Sequence, residues 1–327
     1  MPIWLVLMLP WASCSPMAEP IALAALALDT IIGWPRHLYS RVGHPVGGFA
    51  RTIAACERHW NRPCHPEIAK RALGVITLVL LAGGSALVAW AIETVIRFGA
   101  GAWAWPLVAI AAWPAFAQRS LLDHYRSVLT AQDSGDLADA RRAVSLVVGR
   151  DTASLDEVGV ASAAIESLAE SFCDGIVAPL VWLTLLGLPG AWAFKAVSTA
   201  DSLIGHPEEP LRAFGWASAR CDDALNLIPA RLSAVLICLA AGKGWRVLWR
   251  DHARHASPNA GWPEAAMAGA LNVRLAGPVS YDGMWRDKPW IGDGASPTTQ
   301  SMRKARAIFL RACALLWLIA GGIAWAL

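Results

Sequence analysis

Residues 149–180 read GRDTASLDEVGVASAAIESLAESFCDGIVAPL, and this stretch decides the fold. Ser154, followed three residues later by Glu157, forms a capping-box pattern, which predicts a helix that begins near Leu155. Apolar residues then recur every three or four positions, at Val158, Ala161, Ile165, Leu168 and Phe172. This periodicity predicts a helix with one buried face.

The same helix carries a second, acidic stripe. Glu166, Glu170 and Asp174 are spaced by four residues, so each lies only about 40° around the helix from the last. Like charges at this spacing repel each other. Asp174 also precedes Gly175, at the predicted C-terminus of the helix, where the helix dipole disfavours an anion. A cation would relieve both penalties, and the alternative interpretation is a solvated acidic face.

The composition is that of an integral membrane protein. Of 327 residues, 56% are hydrophobic, only 16% are charged and 18 are tryptophan, whereas soluble proteins carry about 25% charged residues. A net charge of +3 is too small to indicate nucleic-acid binding. We predict an all-α, polytopic membrane protein in which residues 1–327 form a single domain. Residues 1–16 are a dispensable leader in this interpretation, or precede a true start at Met17.

About four full transmembrane helices are predicted, at 18–33, 72–96, 103–117 and 307–327. The apolar segment 176–197 is broken by GLPG at 187–190, which leaves two halves of about 15 Å each. Segment 230–241 is also too short to cross. We therefore predict that these two segments form re-entrant or buried helical hairpins.

Lysine and arginine are enriched in the loops 34–71, 118–175 and 242–304, which places these loops and their amphipathic helices in the cytoplasm. Charge does not place 198–227. We expect this loop on the same side because its acids could otherwise not share a site with Glu166.

Further polar residues stand out in this apolar chain. Arg150, Asp151 and Thr152 lie at a junction between two helices, which suits phosphate binding, although a local contact between Arg150 and Asp151 is equally open. Charged groups at membrane depth are costly and normally face a polar cavity. The other candidates are Lys195, Ser198, Asp201, Arg220, Asp222, Asp223, Asn226, Arg231, Asn259 and Glu264. For Arg220 and Asp223 the alternative is an intrahelical ion pair.

Five blocks in order resemble the CobD/CbiB family of cobalamin biosynthesis. They are GRDT (149–152), IESLAESFCDGIVAPL (165–180), KAVSTADSLIGH (195–206), SARCDDALNLIPARL (218–232) and SPNAGWPEAAMAGAL (257–271). Three positions depart from the family pattern, since Trp34 replaces an acid, and Ser171 and Ser198 replace asparagine.

The resemblance implies an adenosylcobinamide-phosphate synthase, a membrane-bound ligase that uses ATP to join a propionate of adenosylcobyric acid to aminopropanol or its phosphate. Phosphoryl transfer needs Mg²⁺ on carboxylates and basic groups on phosphate. The resemblance then implies catalytic roles for Glu166, Glu170, Asp174, Asp201, Asp222 and Asp223, with Mg²⁺ on the first three. It implies binding of substrate or phosphate by Arg150, Asp151, Thr152, Lys195, Ser198, Arg220, Asn226, Arg231, Asn259 and Glu264.

The expected partners are the corrinoid acid, the amine, the lipid bilayer and other membrane-bound cobalamin enzymes, and the expected location is the inner membrane with the active site facing the cytoplasm. No Walker A motif is present, so ATP would bind in another way. Two alternatives from other classes are a secondary transporter, because broken helices with buried charges are also typical of transporters, and a non-catalytic scaffold for corrinoid enzymes.

Overall fold

A computed structural model of the chain describes residues 20–149, 151–281, 284–286 and 288–326, and most of these residues are helical. The helices, numbered in chain order, are α1 (Ile21–Ile32), α2 (Arg36–Val42), α3 (Pro45–Trp60), α4 (Glu67–Ala100), α5 (Ala104–Ala112), α6 (Gln118–Asp133), α7 (Leu137–Ser145), α8 (Glu157–Phe172), α9 (Ala178–Ile204), α10 (Leu211–Phe214), α11 (Trp216–Leu225), α12 (Leu227–Ala241), α13 (Trp245–Asp251), α14 (Gly261–Leu271) and α15 (Thr299–Ala326).

Four short strands lie between α14 and α15: β1 (Leu275–Ala276), β2 (Val279–Tyr281), β3 (Met284–Arg286) and β4 (Trp290–Ile291). They form two antiparallel pairs, β1 with β4 and β2 with β3. These strands lie in the loop 273–297, and β1 packs against α8.

Three helical stretches among the described residues are long and apolar enough to cross a membrane: Glu67–Asp133, Glu157–Ile204 and Thr299–Ala326. A fourth span results if α11 and α12, which meet at 50°, are counted together. Large apolar side chains on α4 and α15 are exposed, such as Leu87 at 64% and Leu318 at 72%, which fits a lipid-facing surface. The number of spans agrees with the predicted number of about four.

The individual spans differ from those predicted. The candidate span Glu157–Ile204 and the bent pair α11–α12 contain the segments 176–197 and 230–241, which are predicted not to cross independently. The predicted spans 18–33 and 103–117 also differ. The first apolar segment forms α1, which has 12 residues and is about 18 Å long, well short of a hydrocarbon core. The predicted span 103–117 contains α5, which has only nine residues, because Pro114 and the residues around it form a tight turn instead of continuing the helix. Helix α5 packs between α1 and α4.

Helix α8 begins two residues later than predicted. Asp156, not Ser154, caps it, since the Asp156 carboxylate accepts the Gly159 N–H at 2.7 Å. The predicted buried face is confirmed at Ile165 and Phe172, and the Phe172 ring packs edge-on against Phe309 of α15 at 5.8 Å. Val158 is an exception because it is 40% exposed. Asp136 caps α7, since its carboxylate accepts the Asp139 N–H at 2.8 Å, and α7 ends at Ser145.

The predicted helix end at Asp174 is wrong. Residues Cys173–Val177 form a π-helical turn that leads directly into α9, so the chain stays helical through Gly175. Asp174 therefore does not lie at the negative end of a helix dipole. Single π-turns of this kind are frequent at functional sites because they change the direction of side chains within a helix.

The predicted break within 176–197 is confirmed. Gly187 has φ 66° and ψ −158°, which divides α9 into a first limb, 178–186, and a second limb, 188–204. A straight helix would separate Asp174 from Asp201 by about 40 Å, yet the two carboxylates interact electrostatically. The chain must therefore fold back at Gly187. Its orientation across a bilayer remains a prediction.

Candidate functional site

The carboxylate of Glu166 joins α8 to the strand loop. Its Oε1 accepts hydrogen bonds from the Ser162 hydroxyl at 2.6 Å and from the Ala276 N–H at 3.0 Å. Ser162 lies one turn earlier on α8, and Ala276 ends β1. These two hydrogen bonds hold the N-terminal end of the acidic stripe, at Glu166, against the loop 273–297.

The next acid of the stripe meets α14. The ligand atoms of Glu170, His255 and Glu264 all lie within 4.8 Å of one another. Glu264, in the first turn of α14, is only 2% exposed, and its Oε1 lies 3.7 Å from His255 Nε2. Burial raises the pKa of Glu264 well above its ordinary value, and the neighbouring carboxylates of Glu170 and Glu166 raise this pKa further.

A second cluster forms where the π-turn, the second limb of α9 and α11 meet. Asp174 and Asp222 interact electrostatically with each other, and each of them also interacts with Lys195 and with Asp201. Asn226 Nδ2 donates to Asp222 Oδ2 at 2.9 Å, while Asp222 Oδ1 is buried without a hydrogen-bond partner among the described residues. Asp223 also acts electrostatically on Asp201.

The two clusters are neighbours. Glu170 acts on Asp174 on one side and on Glu264 on the other. The structure thus brings the three acids of the predicted stripe into a continuous acidic track along α8 and the π-turn. The assignment of Mg²⁺ to Glu166, Glu170 and Asp174 remains a prediction.

Lys195 also lies near the N-terminal part of the chain, since it acts on both Asp29 and His44. Asp29 Oδ2 accepts the Arg119 N–H at 3.2 Å at the start of α6. His44 Nδ1 accepts the Val46 N–H at 3.2 Å. Burial lowers the pKa of His44 to about 4, with a smaller contribution from the positive charge of Lys195. His44 is therefore neutral at pH 7, and its ring caps the N-terminus of α3.

Arg231 and Asn259 hold α14 against the second cluster. Asn259 Nδ2 donates to the Asp223 carbonyl at 2.7 Å, and Arg231 donates to Asn259 Oδ1 at 3.1 Å. The guanidinium of Arg231 lies 4.6 Å from the centre of the Trp262 ring. Its contacts position the helix junction. Arg220 forms the intrahelical ion pair with Asp223, at 3.4 Å, that was the alternative interpretation.

The junction before α8 lies beside a cavity of about 400 Å³, whose lining includes Asp151, Ser162, Arg274, Ala276 and Trp290. Ser162 and Ala276, the two donors to Glu166, also line this cavity, so the cavity borders the Glu166 end of the acidic track. Arg150, a predicted phosphate ligand, lies outside the described residues.

Two other predicted binding residues, Thr152 and Ser198, are buried, and the contacts described for them are made by their backbone carbonyl groups. Thr152 is buried in the same junction, and its carbonyl accepts the Leu155 N–H. Ser198 is buried on the second limb, where its carbonyl accepts the Ser202 hydroxyl at 2.9 Å.

Sequence reasoning missed Glu93 of α4. Its Oε2 accepts the Leu188 N–H at 3.0 Å, at the start of the second limb, and its Oε1 pairs with Arg97 at 2.9 Å. An acid inside a transmembrane segment is itself a signal of a structural or functional role, and Glu93 meets that description.

The fold and the site together define a class: a polytopic helical membrane protein with a charged internal site formed by a folded-back helix. A family model described as CobD/Cbib protein matches residues 22–309. The chain is 45% identical over 307 residues to the cobalamin biosynthesis protein CobD of Rhodobacter capsulatus, covering 92% of this chain and 95% of the relative.

It is 44% identical to the protein of that name from Sinorhizobium fredii, over 90% of this chain and 94% of the relative. It is 41% identical to the cobalamin biosynthesis protein CbiB of Salmonella typhimurium, over 82% and 85%. No solved structure matches. The chain belongs to the CobD/CbiB family of cobalamin biosynthesis proteins.

Proposed function

We propose that the protein is an ATP-dependent amide ligase that joins a propionate of adenosylcobyric acid to aminopropanol or its phosphate. The observation that carries the proposal is the convergence of Asp174 from the π-turn, Lys195 and Asp201 from the second limb of α9, and Asp222 from α11. A lysine among buried carboxylates in a membrane protein is costly to maintain, and amide formation by phosphoryl transfer uses both kinds of group.

The reaction balances in two steps. A carboxylate oxygen of the corrinoid acid attacks the γ-phosphorus of ATP, and ADP leaves. The neutral amine nitrogen then attacks the acyl carbon, phosphate leaves, and the proton lost by the amine passes to a carboxylate. Mg²⁺ would neutralise phosphate charge during the first step.

Each side chain has a role that its position supports. The ammonium of Lys195 offers a positive charge to phosphate oxygens. Asp222, whose Oδ1 has no hydrogen-bond partner among the described residues, is the best-placed acceptor for the amine proton. The cavity beside Asp151 and Trp290 is large enough to receive part of a ligand of drug-like size. The acidic track offers carboxylate oxygens, which are the ligands that Mg²⁺ prefers.

The catalytic face would be cytoplasmic at the inner membrane. The fold-back at Gly187 supports this proposal because it brings residues before and after the break to one site. The partners would be the corrinoid acid, the amine, lipid and other membrane-bound cobalamin enzymes.

The test is ATP turnover by the detergent-purified protein. We expect ADP release only when the corrinoid acid, the amine and Mg²⁺ are all present. A transporter or a scaffold would show no ADP release that depends on the corrinoid acid, and that result would overturn the proposal.

A further inference from the structure

Four acids are the most buried carboxylates of the described part of the chain: Asp29, Glu93, Asp251 and Glu264. Three of them accept a backbone N–H, at 3.2 Å for Asp29, 3.0 Å for Glu93 and 2.8 Å for Asp251. Asp251 is fully buried and also binds Arg250 at 2.7 Å. Buried carboxylates need such partners because an uncompensated buried charge is strongly unfavourable.

Glu264 is the exception among these four. Its Oε2 is buried and has no hydrogen-bond partner among the described residues. Its Oε1 lies 3.7 Å from His255 Nε2, which is longer than a hydrogen bond. Glu170 approaches the same point from α8, with all three ligand atoms within 4.8 Å of one another. The geometry leaves a carboxylate oxygen without a partner beside a second carboxylate.

The surroundings of Glu264 favour a cation. Its buried Oε2 accepts no hydrogen bond from the described residues, and the carboxylate of Glu170 approaches the same point. A divalent cation held between the two carboxylates would satisfy both.

The histidine indicates the kind of metal. His255 Nδ1 accepts the Ser257 N–H at 3.0 Å, so the neutral ring carries its proton on Nε2, toward Glu264. In this tautomer Nε2 carries a proton and therefore does not bind a metal ion. The ligands are then carboxylate oxygens, which suit Mg²⁺ or Mn²⁺ rather than Zn²⁺.

We infer that Glu264 and Glu170 form a binding site for a hard divalent cation that this chain holds without nucleotide, with His255 as a positioning residue. This site differs from the predicted set Glu166, Glu170 and Asp174 by including α14. The inference rests on the proposed function, but binding of the cation does not require turnover. The two proposals can therefore be refuted separately.

The test is a titration of detergent-purified protein with Mn²⁺ in the absence of ATP, with free Mn²⁺ measured by electron paramagnetic resonance. We expect one saturable site per chain. Glu264→Gln and Glu170→Gln should each weaken binding by at least about 100-fold, since even the loss of an outer-sphere partner costs 10–100-fold. The control is Glu157→Gln, an exposed acid on α8 that should bind as the wild type does.

Thermal unfolding checks independently that the variants fold. Because Glu264→Gln removes a buried charge, the metal-free variant should unfold at the same or a higher temperature than the metal-free wild type. Added Mn²⁺ should raise the unfolding temperature of the wild type but not of this variant. If Glu264→Gln fails to fold, Glu170→Gln decides the question from the other helix.

Three results would overturn the inference. One is unchanged Mn²⁺ binding in the folded Glu264→Gln or Glu170→Gln variant. Another is a site that disappears in Asp174→Asn but persists in Glu264→Gln, which would place the metal on the predicted stripe. The third is displacement of Mn²⁺ by aminopropanol, which is protonated at neutral pH, because that would identify the site as one for an ammonium group.

Discussion

Glu93 should stabilise the position of the second limb of α9. Its carboxylate accepts the buried Leu188 N–H at 3.0 Å, directly after the left-handed residue Gly187. A hydrogen bond to a charged acceptor contributes about 1.5–3 kcal/mol. Glu93→Ala removes this acceptor, leaves the N–H unpaired and breaks the contact with Arg97. We expect a loss of roughly 2–3 kcal/mol in the free energy of unfolding.

The assay is thermal unfolding in detergent, followed by the fluorescence of the 18 tryptophans. With the relation between free energy and Tm that holds for domains of 150–250 residues, a loss of this size corresponds to a fall in Tm of about 4–12 °C. The same variant should lose amide-forming activity, because Lys195 and Asp201 lie on the limb that Glu93 positions.

The matched control is Glu93→Gln, which keeps an oxygen acceptor for the Leu188 N–H but lacks the charge that pairs with Arg97. It should lie between the wild type and Glu93→Ala in both Tm and activity. Equal damage by Gln and Ala would show that the ion pair, not the hydrogen bond, matters. An unchanged Tm in Glu93→Ala would refute the reasoning.

Three further predictions address the site, the topology and the pH response. Asp222→Asn or Asp174→Asn should lower kcat by at least about 10²-fold while membrane insertion persists. Near-normal turnover of both variants, measured from product formation, would favour the alternative interpretation of these acids as a solvated face. A cysteine introduced at Glu208 of the otherwise cysteine-free protein should resist an impermeant maleimide on intact cells, and labelling from outside would split the proposed site across the membrane. Because burial lowers the pKa of His44 to about 4, below an unfolded value of about 6.5, the unfolded state binds more protons between these values. The stability contributed by neutral His44 is therefore complete above pH 6.5 and is lost as the pH falls toward 4. In His44→Asn, which keeps a capping acceptor, Tm should fall less between pH 7 and pH 4.5, and an identical pH profile would contradict this explanation.

Local features were predictable because they depend on nearby residues. The spacing of Ile165 and Phe172 identifies the buried face of α8, and the glycines and proline of GLPG identify the break at Gly187. Asp136 caps α7 for the same local reason. Asp156 and Ser154 are both good caps, so sequence alone could not choose between them.

Non-local features were not predictable from the sequence. Gly175 suggested a helix end, but packing of Phe172 and Ile176 in the core keeps the chain helical through a π-turn. Glu264 is separated from Glu170 by 94 positions along the sequence, and only the packing of α14 on α8 brings them together. Glu93 could likewise be recognised as unusual, but its partner Leu188 could not be named.

The proposed activation of a carboxylate by phosphoryl transfer can be tested directly with adenosylcobyric acid carrying heavy oxygen in its propionate. The purified protein is incubated with this acid, ATP, Mg²⁺ and either aminopropanol or its phosphate, and the products are analysed by mass spectrometry. We predict an amide whose formation requires ATP, released together with ADP, and one heavy oxygen transferred to inorganic phosphate. Amide formation without ATP, or transfer of the heavy oxygen to AMP, would contradict the account.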